Sequence, residues 1–456
     1  MDNLLVQTID EMLKEKLPTK SSMSSAEWTI AYPQSTQTLA CNGSNIYRFS
    51  LPKYPNGYLC ATKGGLNPFF QFTLSAFSAA NVLSKFRAEP WAIFQQIKIF
   101  LNGVQITDVQ YSNHVYAEWL KKKTAEWLST DGNNFGMSET LTPFSGLPPS
   151  QAAADAASGV KYTLPLPDNF SIFSKNHAIP LSAVDIVMEV TLNDFGRFVT
   201  GLVNDLTAPQ ALTSVEVSNL SLMLPICHVD PEVDRAIMSK LEAGDMDENE
   251  MFLLPIENIR VDSQSHNFPV GTSTKNFIWN TVSSSVRFLE AVISIDQNNS
   301  ALASYKTTTK LNPGVKNYIY RIDGKNVTQT NVTTNQGGYD QAYQLRNDLA
   351  SAYNYVNNEQ AYQMGSINKS RFNSLATTNP AVGDAGGTPL ASSFAAVAIL
   401  DTVSRDNVIG GTKTINNLQL ELQSESVGGL PNTNVYLIQH SNAVVAFSKT
   451  KCKLLM

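Results

Sequence analysis

Apolar and polar positions alternate in "FQQIKIFLNGVQITDV" (94–109) on both sides of Asn102-Gly103. Ile97, Ile99 and Leu101 share one face before the break; Val104, Ile106 and Val109 supply apolar side chains after it. A period of two predicts strands. Asn-Gly predicts a two-residue hairpin, because both residues tolerate the positive φ of a type I′ turn. Similar alternation, bounded by Gly, Pro or Asn, predicts strands at 45–52, 68–77, 160–167, 183–193 and 214–226. It returns at 255–265, 284–295 and 318–328, then at 393–403, 415–424 and 434–449. The 318–328 segment holds a second tight turn, Asp323-Gly324.

Helical periods are fewer. In "LLVQTIDEMLKEKL" (4–17), Leu5, Ile9, Met12 and Leu13 fall on one stripe, and Pro18 stops the pattern. This N-terminal amphipathic helix has two readings, a helix docked on its own domain or an arm for a neighbouring molecule or a membrane surface. A polar tether, "TKSSMSSAE", follows it. "HVYAEWLKKKTAEWL" (114–128) puts Trp119 and Trp127 close to one face. "DPEVDRAIMSKLEAG" (230–244) opens with Asp230 as N-cap and Pro231 at the first helical position, and Gly244 suits its C-cap. "DMDENE" (245–250) reads as an exposed link, and 339–356 as a further aromatic helix. Long polar loops are expected at 131–159 and 365–391.

The two halves run through one order of events: early strands, an X-Gly hairpin, an aromatic helix, a long loop, closing strands. Gly103 and Gly324 stand roughly half the chain apart. Repetition at this grain predicts two tandem copies of one β domain, and about eight strands per half fits the jelly roll, a two-sheet sandwich. The fold class is therefore all-β: two tandem eight-stranded jelly rolls with short helices in the inter-strand loops. The expected divisions are 1–26 (helix and tether), 27–229 (first jelly roll), 230–254 (connecting helix and acidic linker) and 255–456 (second jelly roll). Two unrelated sandwiches, or a sandwich plus an α+β domain, remain the alternatives.

Composition narrows the function. Of 456 residues, 43% are hydrophobic and only 16% charged, which leaves much surface suited to other subunits. A net charge of −6, from 39 acidic and 33 basic residues, argues against sequence-specific nucleic-acid binding. The opening "MDNLLVQTIDEM" has acids where a signal peptide needs a basic region and an apolar run, so synthesis in a host cytoplasm without a signal peptide is expected. Cys41, Cys60, Cys227 and Cys452 are scattered and form no CxxC pair.

No enzyme motif survives inspection. The five histidines (His114, His177, His228, His266, His440) share no metal-ligand spacing. Cys227 and His228 are adjacent in a strand, so their side chains point to opposite faces. "GDAGGTP" (383–389) lacks the GK[ST] of a phosphate loop. Asp245, Asp247, Glu248 and Glu250 lack the central Gly and distal Glu of an EF-hand, so a solvated linker is the plainer reading than a bound ion. No catalytic residue, metal or cofactor is expected.

Several blocks resemble a known family. "IFQQIKIFLNGVQITD" followed by "YSNHVYAEWLKKKTAEWLSTDG" is similar to a strand–LNG–strand–helix block of the double jelly-roll major capsid proteins of icosahedral double-stranded DNA viruses. That group takes in virophage and polinton-like viruses, adenovirus hexons and tailless membrane-containing phages. "YTLPLPDNFSIFSKNHAIPLSAVDIVMEVTLND" and "LMLPICHVDPEVDRAIMSKLEAG" resemble later segments of the first jelly roll, and "NYIYRIDGKNV" matches in the second. The resemblance implies a homotrimer whose six jelly rolls make a pseudo-hexagonal tile. It further implies contacts with neighbouring trimers, penton and minor capsid proteins, and an N-terminal helix lying inside the shell against a partner or an internal membrane. A carbohydrate- or receptor-binding β-sandwich, and a β-sandwich glycoside hydrolase, are the competing functions.

Overall fold

The computed structural model describes residues 23–35, 38–61, 68–77, 83–86, 90–121, 159–167, 170–173, 177–197, 199–203, 208–210, 214–280, 284–294, 315–327, 331–333, 396–400, 415–426 and 430–455. The N-terminal helix with Leu5, Ile9, Met12 and Leu13, the 339–356 helix, the end of the 114–128 helix with Trp127, and the long polar loops apart from Gly159 lie outside them. Within them the chain is all-β, with two α-helices.

The first half contains β1 (Met23–Ala31), β2 (Leu39–Ala40), β3 (Ile46–Ser50), β4 (Gly57–Ala61), β5 (Phe69–Phe77), β6 (Leu83–Phe86), β7 (Phe94–Leu101), β8 (Val104–Gln110) and helix α1 (Ser112–Lys121). It continues with β9 (Val160–Pro165), β10 (His177–Pro180), β11 (Ile186–Leu192), β12 (Val199–Val203), β13 (Ala208–Gln210) and the long β14 (Ser214–Val229). One sheet is built on β14: β5 and then β9 lie on one side, and β1 on the other. β4, with β10 beyond it, takes up the end of β14 on the β5 side. The second sheet runs β3-β11-β7-β8, and β6, β12 and β13 form a small third sheet. Phe70 sits between the two large sheets, 4.9 Å from Phe94 and 6.0 Å from Phe49 between ring centroids. The Tyr47 hydroxyl crosses the same core to donate to the Val217 carbonyl (2.8 Å), and burial pushes its pKa up to about 12.

Helix α2 (Pro231–Met246) leads to the second half. There follow β15 (Phe252–Phe268), β16 (Gly271–Trp279), β17 (Val286–Ser294), β18 (Val315–Ile322), β19 (Lys325–Asn326), β20 (Val332–Thr333), β21 (Ala396–Ile399), β22 (Leu418–Ser426), β23 (Leu430–Phe447) and β24 (Cys452–Leu455). One sheet runs β15-β23-β17-β21 and the other β16-β22-β18-β19. Tyr320 and Tyr318 on β18 reach across to the carbonyls of Ala396 and Val397 at 2.9 and 3.1 Å.

The strand orders coincide. β3-β11-β7-β8 and β16-β22-β18-β19 take the same places, each ending in its X-Gly hairpin. Likewise β1-β14-β5-β9 corresponds to β15-β23-β17-β21. The doubling seen in the chain is thus a doubling of sheet topology. Even the extra strand has a counterpart, because β24 pairs with the end of β23 where β4 pairs with the end of β14.

Three local features differ from expectation. β1 opens at Met23, inside the stretch read as a tether; its first five residues, Met-Ser-Ser-Ala-Glu, show no apolar–polar alternation before Trp28. Asp230 does cap α2, accepting the Glu232 N–H at 2.9 Å, but the helix runs to Met246 and Asp247 is its C-cap. Gly244 lies inside that helix, where a Cβ would stand 3.1 Å from Ser448 and 3.2 Å from Met251, so close packing and not a left-handed cap calls for glycine.

Phe70→Ala removes a ring at the centre of the first core and is expected to cost about 3–5 kcal/mol. Denaturant unfolding against wild type reads this.

Candidate functional site

Both predicted turns carry positive φ at both central residues: +47° and +77° at Asn102 and Gly103, +46° and +79° at Asp323 and Gly324. Nothing lies within 4 Å of a Cβ built on either glycine, so backbone conformation alone demands it. The turns are also anchored alike. The Asn102 N–H donates to the Asp185 carbonyl (2.8 Å), and its Oδ1 accepts the Asp185 N–H (2.9 Å). The Asp323 N–H donates to the Asn417 carbonyl (2.9 Å), and its Oδ1 accepts the Asn417 N–H (2.8 Å). Asp185 and Asn417 each immediately precede the strand beside the hairpin, β11 and β22. Next to the first turn the β7–β8 register slips between Ile99 and Phe100, with Ile106 as the extra residue on β8, which explains the unequal spacing of Ile106 and Val109.

The first hairpin does more than turn. Asn102 Nδ2 donates to the Ser448 carbonyl (3.0 Å) in the β23–β24 loop of the other half. From there β8 runs along β15. Gln105, Ile106, Thr107 and Asp108 line one wall of a notch of about 300 Å³ whose other wall holds Asn258, Ile259 and Arg260. Beyond β8, Tyr111 meets the Tyr436 ring edge-on at 5.0 Å and takes a hydrogen bond from Ser263 at 3.2 Å. His114 of α1 stacks on the same Tyr436 at 3.9 Å. Ser171 forms an isolated bridge with Glu257, and His177 Nε2 donates to the Pro255 carbonyl at 2.6 Å. A continuous seam between the two halves results.

The seam lies against one face of the β15-β23-β17 sheet. Ile259, Val261, Tyr436, Ile438, Phe288 and Glu257 are all buried there. His440 donates from Nδ1 to Glu257 (2.8 Å) and stacks on Phe288 at 3.9 Å. Three of the five histidines therefore meet at the seam as packing and hydrogen-bonding groups. No sequence signal grouped them, because they come from three distant segments. His228 bonds Glu27 at 3.1 Å, and His266 packs on Phe277.

Among the described residues no group of three or more His, Cys, Asp or Glu is placed to hold a metal ion. Asp245, read as part of an exposed link, instead grips the β23–β24 loop. Its carboxylate accepts from the Ser448 hydroxyl and from the Thr450 N–H and hydroxyl. Burial pushes that carboxyl up, but these bonds and Lys451 hold it below its ordinary value. Cys227 is buried, its pKa lowered to about 7 first by a hydrogen bond from Cys60, with burial opposing and His228 assisting. Burial pushes the Cys41 thiol far up. No described helix is long and apolar enough to cross a membrane.

No protein-family model and no curated protein sequence matches the chain. Solved structures do. A chain of the cryo-EM structure of the Sputnik virophage is 11% identical with a TM-score of 0.59, covering 96% of this chain and 89% of that one. PBCV-1 VP54 is 11% identical with a TM-score of 0.54, covering 96% and 98%. The Faustovirus major capsid protein is 10% identical with a TM-score of 0.50, covering 94% and 92%. The chain shares the fold of these three structures. Near-complete coverage of both partners means that the doubled sandwich, and not one half of it, is shared. At this identity the shared fold is held by topology, with few residues in common.

Two substitutions separate the tasks of the first turn. Gly103→Val forces a β-branched residue to positive φ and is expected to destabilise by at least about 1–2 kcal/mol. An unchanged melting temperature would refute that account of the turn. Asn102→Asp keeps the acceptor for Asp185 but loses the donor to Ser448, at about 1 kcal/mol. The mirror change Asp323→Asn should be close to neutral in the same thermal melt.

Proposed function

We propose that this chain is a viral major capsid protein, a structural component of an icosahedral shell and not an enzyme. What supports it most is one observation: a shell-protein fold spans nearly the whole chain, with both sandwiches in place. The assembling unit in this reading is a homotrimer, a pseudo-hexagonal tile of six jelly rolls, and the virion is where the protein resides. The first jelly roll runs from β1 at Met23 to the end of β14 at Val229 and the second opens with β15 at Phe252, with helix α2 in the connector and the residues before β1 as N-terminal arm. Leu5, Ile9, Met12 and Leu13 give that arm an apolar stripe for an inner partner, a minor capsid protein or the surface of an internal membrane. Neighbouring trimers and penton proteins are the remaining partners, and binding to nucleic acid is not sequence-specific. The turns at Asn102-Gly103 and Asp323-Gly324 are shape-setting sites: they fix where each hairpin edge lies.

The mechanism is burial. Obligate contacts within a tile cover large areas, and weaker contacts between tiles close the shell. Light scattering of the purified protein over a range of concentrations is expected to give a concentration-independent species of three times the 49.9 kDa chain mass. A single-chain mass at every concentration would overturn the reading.

A further inference from the structure

We infer that Cys60 of β4 and Cys227 of β14 form a dithiol that a small peroxide closes to a disulfide, which makes the pair a site of reversible oxidative modification. The inference does not depend on the assembly reading.

Strand register brings the two sulfurs together. β4 and β14 are antiparallel neighbours, with Cys227 opposite Tyr58 and Ile226 opposite Leu59. Cys60 stands two residues beyond Tyr58, so Tyr58, Cys60 and Cys227 share one face of the sheet, and the cysteines are diagonal neighbours on it. Sheet twist shortens one diagonal and lengthens the other. This is the short one, because the Cys60 thiol hydrogen-bonds to Cys227. The flanking positions on the same face are small: Ala178 of β10 lies opposite Cys60, and Ala26 of β1 lies opposite Cys227. The Tyr58 hydroxyl is engaged elsewhere, donating to Asp234 of α2 at 2.7 Å.

All four cysteines are free, and their surroundings set one apart. Burial pushes the Cys41 thiol far up and Cys452 to about 11, so both stay protonated at neutral pH. The hydrogen bond from Cys60 brings Cys227 down to about 7 against the effect of burial, with His228 assisting, so a large share of it is thiolate at neutral pH. Cys227 is 5% exposed and Cys60 3%, but Ala26 beside Cys227 is exposed, which leaves a short way in for a small oxidant. The Cys227 thiolate attacks one oxygen of hydrogen peroxide, the O–O bond breaks, and hydroxide leaves, taking up the proton that Cys227 had released. Cys227 is then a sulfenic acid. The Cys60 sulfur attacks the Cys227 sulfur, the S–O bond breaks, and the hydroxyl departs with the Cys60 proton as water. Two thiols are oxidised to one disulfide, and one peroxide is reduced to two waters. The new bond closes a long loop of chain, which restricts the unfolded state more than the folded one.

The test is oxidation of the purified full-length chain with dilute hydrogen peroxide, followed by denaturation, alkylation with iodoacetamide and mass spectrometry. Before oxidation all four cysteines should be alkylated. Afterwards only Cys41 and Cys452 should be, and digestion should yield one peptide pair joined through Cys60 and Cys227 that dithiothreitol separates. The rate should climb as pH rises through about 7, because the thiolate is the nucleophile. The oxidised chain should melt at a higher temperature than the reduced one, and dithiothreitol should reverse the gain. Cys60→Ser should stop at the sulfenic acid on Cys227, which dimedone traps. Cys227→Ser should leave Cys60 open to alkylation. Four cysteines still alkylated after peroxide, or a bond from either residue to Cys41 or Cys452, would overturn the inference. So would dimedone labelling of wild type as strong as that of Cys60→Ser, since Cys60 would then have failed to close the bond. The wild-type peptide map decides the matter even if a variant does not fold.

Discussion

A sheet that is apolar on both faces needs two covers, and the second half of this chain has only one of its own. All nine residues of β17 are buried. Its inner face meets the β16-β22-β18-β19 sheet; its outer face, with that of β23, meets the first half. Each large apolar side chain fully buried there contributes about 1.5–3 kcal/mol relative to exposure. Tyr436, Ile438, Ile259 and Val261 would all be wetted if the halves parted. The two sandwiches are thus repeats in topology and a single body in energy, which fixes the angle between them.

The seam also explains where the repeats diverge. The two turns share positive φ, the following glycine and the same pair of hydrogen bonds to the residue before the adjacent strand. They differ in Asn102 against Asp323. An amide offers a donor as well as an acceptor, and Asn102 uses both, one toward Asp185 and one toward Ser448. Asp323 has the acceptor alone and spends it on Asn416 and Asn417. Helix α2 completes the arrangement. Asp245 binds the Ser448–Thr450 loop from one side while Asn102 reaches it from the other, so connector, hairpin tip and second half meet at one short loop.

Local chemistry was legible in the sequence where it is self-contained. Asn-Gly and Asp-Gly reveal their turns because the requirement for positive φ lies within two residues, and the Asp230-Pro231 start of α2 is equally local. The doubling was legible only as an order of events. Strands whose exposed positions carry Ser and Thr left little trace: β16, "GTSTKNFIW", alternates fully in burial but hardly in hydropathy. Gly244 was misjudged because the reason for it, the proximity of Ser448, lies some two hundred residues along the chain. The seam was invisible for the same reason. His114, His177 and His440 come from separate segments, and nothing in their neighbours distinguishes a histidine packed between two domains from one at the surface.

The asymmetry between the two sheet faces gives the chain a direction. Ile259, Val261 and Tyr436 could all remain apolar because the cover arrives with the same polypeptide and never has to be found. Trp28, Ile30 and Tyr32 stand in the equivalent place and are exposed. Exposed aromatics on an edge strand invite indiscriminate association. If the chain assembles as proposed, its sparse charge follows the same logic, because surface covered by other subunits has little use for the solvation that charge provides.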